Sequence, residues 1–259
     1  IVDYAGKKST GNNDYFVLRQ AMGGQSDTTY RSNADATYDI VTSDLFLSRY
    51  RKKGMSLKTG IKYTFTDMND NSCYEGLSGQ LWEPNPAYGY VLNYRENIVG
   101  GYGSFSAGTG RWSFVAGLRG EYTRTSNRND NIRRDYFDLF PNLNVSYAFN
   151  SLKTSMLVGQ YSRNIERPAF HSLSPNHIQL SDYSYQIGNP YLKPTYINRF
   201  NLTWVYQYRY TVTVGGNLHH NLIREFCKQD ANDPDISYIT PENHSTENHW
   251  FIAVNLPFQ

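Results

Sequence analysis

The sequence predicts an all-β fold, an antiparallel transmembrane β-barrel, of which these 259 residues supply roughly ten strands. Three observations carry that expectation. Apolar and polar residues alternate with a period of two in one stretch after another, as on strands with one apolar face. The connections alternate between short turns and long polar loops, the asymmetry of a membrane barrel. Aromatic residues make up 15% of the chain, 23 of them tyrosines, more than a core of this size needs. Tyr and Trp favour membrane–water boundaries, because the ring is apolar and its tip is wet.

The alternation begins at 55–65, where Met55, Leu57, Thr59, Ile61, Tyr63 and Phe65 interleave with Ser56, Lys58, Gly60, Lys62 and Thr64. Next, Trp112, Phe114, Ala116, Leu118 and Tyr122 stand against Arg111, Ser113, Arg119, Glu121 and Thr123. Leu143, Val145, Tyr147 and Phe149 then oppose Asn142, Asn144 and Ser146. Phe200, Leu202, Trp204, Tyr206 and Tyr208 oppose Asn201, Thr203 and Gln207, and Trp250, Ile252, Val254 and Leu256 form the last run. Short turns are expected near 51–54, 107–110, 150–151 and 207–209. Long loops are expected near 67–87, 125–138, 164–195 and 228–249. Loops of that length are uncommon in compact soluble domains.

A mean hydropathy of -0.63 would ordinarily indicate a soluble protein. In a membrane barrel only alternate residues meet lipid, so the average is uninformative. No stretch approaches the ~20 apolar residues of a spanning helix. A net charge of +2, without a long basic run, gives no footprint for nucleic acid. Cys73 and Cys227 are expected on the same side of the membrane about six strands apart, too far for a disulfide. No signal peptide is visible, and Ile1 reads as the inside of a strand, so targeting sequence is expected upstream.

Between two of the alternating runs lies Gly188-Asn-Pro-Tyr-Leu-Lys-Pro194. Two prolines and a glycine exclude helix and central strand, leaving a shaped loop. This string resembles a hallmark of the outer-membrane β-barrel family related to the TonB-dependent receptors of Bacteroidota. Tyr161-Ser-Arg-Asn-Ile-Glu-Arg-Pro168 is similar to that family's Tyr-Ser-x-x-Ile-x-Arg-Pro string, and Gly117-Leu-Arg-Gly-Glu-Tyr-Thr123 to its Gly-Leu-Arg-x-Glu-x-Thr strand. Tyr136-Phe-Asp-Leu-Phe-Pro141 and Tyr94-Arg-Glu-Asn-Ile98 resemble two further strings, all in family order. The resemblance implies a larger barrel of the receptor type, with about 22 strands and a plugged lumen. Residues 1–259 are then a portion of one barrel domain, with the plug and the closing C-terminal strands absent from it.

Arg163, Glu166, Arg167 and Pro168 close one strand and open the long loop, and Arg167 or Lys193 is expected to hold carboxylates as a collar. With Gly188, Asn189, Pro190 and Pro194 they form the loop-shaping set, Gly188 and Asn189 supplying left-handed backbone. Substrate contacts at the mouth would be the competing role. Tyr74, Trp82, Tyr88, Tyr183 and Tyr185 fall in expected loops and could stack on sugar or catecholate rings, or serve as interface aromatics. Lys58, Lys62, Arg111, Arg119, Glu121 and Gln207 are expected to solvate the lumen. No metal-site spacing occurs among the six histidines; His171 and His177 share the long loop as the remaining pair. Asp230, Asp233, Asp235 and His244 share another loop without the spacing of an activated nucleophile. No cofactor, metal or enzymatic activity is expected.

The resemblance implies a transporter that imports a siderophore, cobalamin or oligosaccharide, energised by TonB through a region outside these residues. Its partners would be outer-membrane lipid, a small-molecule or glycan ligand, and a surface lipoprotein. A second reading is a barrel that holds surface lipoproteins without transport. A third, a soluble sandwich binding glycans, would bury its aromatic faces against a second sheet.

Overall fold

The computed structural model describes residues 1–259 apart from 22–23, 52–53, 86–88, 129–130, 176, 182 and 258–259, and side chains outside 11–28 and 30. Thirteen strands form one sheet. The first eight are β1 (Val2–Ala21), β2 (Gly24–Arg51), β3 (Met55–Ser78), β4 (Leu81–Pro84), β5 (Tyr90–Thr109), β6 (Trp112–Asn127), β7 (Ile132–Ala148) and β8 (Ser155–Glu166). A short helix α1 (Phe170–Leu173) and two short strands, β9 (Ile178–Ser181) and β10 (Ser184–Gln186), follow. β11 (Thr195–Tyr206), β12 (Tyr210–Gln229) and β13 (Ser237–Asn255) complete the chain. Ten strands are long; β4, β9 and β10 have four residues or fewer.

The strand order is β1-β2-β3-β5-β6-β7-β8-β11-β12-β13-β10-β9, with β4 beside β3. Every long pair is antiparallel, and only β10 runs parallel to its neighbour β13. Period-two alternation sets the two faces. On β3, Leu57 and Ile61 point outward and are exposed, whereas Met68 is wholly buried on the inner face. The outer face carries Leu45, Leu47, Leu118, Trp250 and Ile252 in the open, as a lipid-facing surface requires.

Three of the four expected long loops are strand for most of their length. β3 continues to Ser78, β6 and β7 pair up to Asn127 and Ile132, and β12 and β13 pair up to Gln229 and Ser237. Above the lipid-facing band the outward side chains become polar, as at Asn69 and Asn71 opposite inward Asp70 and Ser72. Polar–polar alternation leaves no hydropathy signal, so the sequence reads as loop. Only the 164–195 connection is a true excursion, from the end of β8 to the start of β11.

That excursion shows that the sheet curls. Phe170 packs on Tyr38 of β2 and Tyr94 of β5. Ser174 donates to Asp70 of β3, and Arg134 of β7 donates to the carbonyls of Pro190 and Leu192. Asn189 donates to the Pro241 carbonyl of β13. β2 and β13 stand far apart in the strand order, so one short segment reaches both only if the wall wraps around it. The buried apolar side chains sit there: Met68, Leu92, Phe140, Leu173, Leu192 and Ile197.

The wall parts at one place. β7 pairs with β8 only from Asn142 to Ala148, while its upper half pairs with β6 alone. The parting begins at Pro141, which has no N–H to offer a ladder. Tyr196 and the 188–194 loop occupy the opening, the Tyr196 hydroxyl donating to Asp138 at 2.9 Å. Cys73 and Cys227 are free thiols on the same side, on strands six steps apart.

A charge on the outer face should be costly and one on the inner face tolerated. Leu118→Arg, in the middle of the outward run of β6, should lose about 2–4 kcal/mol, and the inward Asn144→Lys less than about 0.5 kcal/mol. Urea unfolding of the full-length protein in phospholipid vesicles measures both, and equal losses would contradict the assigned faces.

Candidate functional site

The mouth of the barrel is built by residues 167–194 folding inward over the upper strands. Pro168 follows the last residues of β8 and forbids the ladder from continuing. Arg167 then turns inside, its guanidinium donating to Glu121 at 3.0 Å and to Thr123 at 3.0 Å, with Glu96 3.6 Å away. The Tyr94 hydroxyl also donates to Glu96. Both carboxylates are largely shielded from water, at 12% and 9% side-chain exposure. In such surroundings a lone carboxylate is costly and a partnered one is tolerated. Arg167 therefore ties the start of the segment to β5 and β6. Arg163 stays on β8 with its guanidinium over the Tyr196 ring at 5.1 Å. Among the described residues Glu166 and Lys193 form no ion pair; Lys193 is fixed through its backbone, which exchanges two 2.8 Å hydrogen bonds with the Asn243 amide.

The expected left-handed backbone at Gly188 and Asn189 is not found, since neither has a positive φ. Gly188 is needed for close approach instead. A Cβ there would lie 2.0 Å from the Ser174 carbonyl oxygen and 2.9 Å from that of Ser172. The Asn189 N–H donates to that Ser172 carbonyl at 2.7 Å, pinning the loop to the end of α1. Asn189 also uses its side chain twice, accepting from the Tyr191 N–H and donating to the Pro241 carbonyl. Pro190 and Pro194 stiffen the strip between, and Arg134 holds its carbonyls. A left-handed residue does sit beside the loop: Asn221 on β12, at φ 56°. Its carbonyl accepts from Thr195 and from Asn243.

The aromatic candidates separate. Tyr74 is not in a loop: it faces inward from β3, 6% exposed, edge-on to His177. Tyr185 on β10 lies between His177, at 4.2 Å, and Tyr238, at 5.3 Å, and its hydroxyl donates to Asp230. Burial among these rings holds the His177 imidazole below its ordinary pKa, and its Nε2 meets Gln179 at 2.9 Å. Trp82 on β4 carries the Arg31 guanidinium 4.5 Å over its ring, and Arg31 is paired with Glu75. Tyr183, in the turn between β9 and β10, is 66% exposed. Tyr88 lies outside the described residues.

Beneath the segment the inner face encloses a cavity of about 610 Å³, lined among others by Lys62, Tyr102, Arg119, Glu121, Asn164 and Arg167. Arg119 pairs with Glu121 and lies over Phe140 at 4.7 Å. Lys58 also faces inward, over the rings of Phe46 and Tyr102. Arg111 and Gln207 do not line this space; they occupy short turns at the opposite end. Asp230 and Asp233 act as turn caps, accepting from the N–H groups of Asn232 and Asp235, while His244 packs against Phe226. Among the described residues no three His, Cys, Asp or Glu side chains are grouped to hold a metal ion. Sequence reasoning passed over Asp70, Glu96, Arg134, Asn221 and Asn243, which anchor the segment from five different strands.

The close approach at Gly188 has a measurable consequence. Gly188→Ala forces backbone apart and should lower stability by roughly 2–3 kcal/mol, with the 170–187 segment becoming open to limited proteolysis. An unchanged melt and cleavage pattern would show that the segment does not dock this way.

Solved structures share this fold, three of them as follows. The hemophore receptor HasR of Serratia marcescens, solved as a double mutant with its hemophore HasA and heme, aligns with TM-score 0.57 and 14% identity over 98% of this chain. The copper transporter OprC aligns with TM-score 0.56 and 10% identity over 95%, and a mutant of the ferric enterobactin receptor PfeA of Pseudomonas aeruginosa, with enterobactin, with 0.53 and 12% over 96%. The chain spans 46%, 39% and 41% of those proteins' lengths. No curated protein matches it. The sequence model described as "Outer membrane protein beta-barrel family" matches residues 1–259. The protein is thus an outer-membrane β-barrel, and the chain belongs to the outer membrane protein beta-barrel family.

Proposed function

We propose that this chain is the wall and outer mouth of a TonB-dependent importer, taking up a nutrient of the siderophore, cobalamin or oligosaccharide type through a plugged barrel. The observation that carries the reading is the inward-folded 167–194 segment. It narrows the mouth over a polar cavity of about 610 Å³ and is anchored to strands around the wall. A porin-like open pore would not need so many fixed contacts across its entrance. Lys62, Arg119 and Arg167 against Glu121 make the cavity wall cationic, which favours an anionic ligand such as a ferric chelate. Tyr183, exposed at the rim, is the candidate for a first stacking contact, while Tyr74 and Tyr185 pack around His177 beneath it and Trp82 is taken up by Arg31.

The outer edges of β1 and of β13 beyond Ile239 have no partner among the described residues. Lipid offers no hydrogen bonds to such edges. In our reading the barrel closes through strands outside these residues, and the plug and the TonB-contacting segment also lie outside them.

Uptake tests the proposal. Cells carrying the full-length gene should accumulate one of a panel of radiolabelled ferric chelates, cobalamin and oligosaccharides, and a protonophore should abolish that uptake. Lys62→Glu with Arg119→Glu should reduce it by roughly tenfold or more if the ligand is anionic. Protonophore-resistant uptake would indicate a passive channel. No uptake, with lipoprotein co-purifying, would favour an assembly scaffold.

A further inference from the structure

Charge is segregated along the barrel axis. No Asp or Glu occurs in 45–66, 97–120, 139–165 or 183–224, the four stretches that run through the short turns. Each of those turns carries at least one cation: Arg49 and Arg51 at β2–β3, Arg111 at β5–β6, Lys153 at β7–β8 and Arg209 at β11–β12. Lys52 and Lys53 follow Arg51 in the sequence and lie outside the described residues. None of the five described cations forms an ion pair among the described residues. The nearest carboxylate along β2 is Asp44, five residues above Arg49. At ~3.4 Å per residue it lies roughly 17 Å away, about twice the ~8 Å over which physiological salt screens a charge. The described residues do not neutralise this rim.

The same rim is apolar and aromatic. Tyr50 is 82% exposed, Leu152 79% and Tyr208 63%, with Trp112 and Phe149 beside them. Two neighbouring turns are locked together: the Tyr208 hydroxyl donates to the Leu152 carbonyl at 2.7 Å, and its N–H donates to Thr154. Arg209 is held in turn by a 3.2 Å bond to the Pro257 carbonyl. Lys153 and Arg209 are thus carried by fixed turns rather than by loose loops.

Short turns of an outer-membrane barrel face the periplasm. Exposed Tyr, Trp and Leu place this rim at the depth of the headgroups, where Arg and Lys reach phosphate while their stems stay in the apolar layer. We propose that the short-turn rim is a binding surface for anionic phospholipid of the periplasmic leaflet, its five cations each meeting headgroup phosphate. The surface continues the lipid-facing band directly above it. The inference is independent of whether the barrel transports anything.

The test is native mass spectrometry of the full-length protein offered phosphatidylglycerol and phosphatidylethanolamine in equal amounts. The wild type should retain phosphatidylglycerol by roughly tenfold or more, falling as salt is raised. Combined Arg51→Gln, Arg111→Gln, Lys153→Gln and Arg209→Gln should bring that preference close to one. Arg128→Gln with Arg133→Gln, at the opposite rim, should leave it unchanged. Heat-modifiable mobility in gels identifies any variant that has not folded, and the salt series on the wild type stands without variants. A wild type with no preference, as expected if the rim meets an acidic protein instead, would overturn the proposal. So would equal loss in the opposite-rim control.

Discussion

The structure depends on one constraint: inside a bilayer every backbone N–H and C=O must find a partner within the protein. An antiparallel sheet meets that demand strand by strand, and it does so for any side chain that keeps the right face. Long ladders follow directly, such as the unbroken register of β2 on β3 from Tyr30↔Gly76 to Arg51↔Met55. Curvature follows too, because a flat sheet would leave its edges in hydrocarbon. Where the ladder between β7 and β8 ends, at Pro141, the chain fills the opening with Tyr196 and the 188–194 loop, held by Asp138 and Arg134 side chains.

The inward segment solves a second problem that the wall creates. A barrel of alternating residues has no core of its own, because its apolar half faces out. Residues 167–194 bring Leu173 and Leu192 together with Leu92, and these side chains, like Met68 and Ile197, are buried at the outer end. Its polar anchors sit on different strands: Glu121 and Glu96 for Arg167, Asp70 for Ser174, and Arg134 and Asn243 for the 188–194 loop. The contacts fix the mouth above the lumenal cavity.

Much of the wall was legible in the sequence. Where outward residues meet lipid, as at Leu57, Ile61, Leu118 and Trp250, the period-two pattern marks both strand and face. It fades where both faces meet polar surroundings, so the upper halves of β3, β6, β7, β12 and β13 read as loop. The shaped character of Gly188–Pro194 was also legible, but its cause was not. Gly188 serves close packing on Ser172 and Ser174, and that depends on residues brought near only by folding. Asp70, Arg134 and Asn243 looked like ordinary loop polars for the same reason. Tyr74 shows the converse case: an aromatic in an apparent loop that proves to be an inward, buried strand residue.

The inward docking of 167–194 is the central claim, and paired cysteines in intact outer membranes test it most directly. With Cys73→Ser and Cys227→Ser as background, Asp70→Cys and Ser174→Cys replace two side chains now joined by a 3.1 Å hydrogen bond. A short bifunctional thiol reagent should link them efficiently and protect both from a membrane-impermeant maleimide. Ready maleimide labelling of Ser174→Cys without cross-linking would mean that the segment stands clear of the wall, and the account of the mouth would fall.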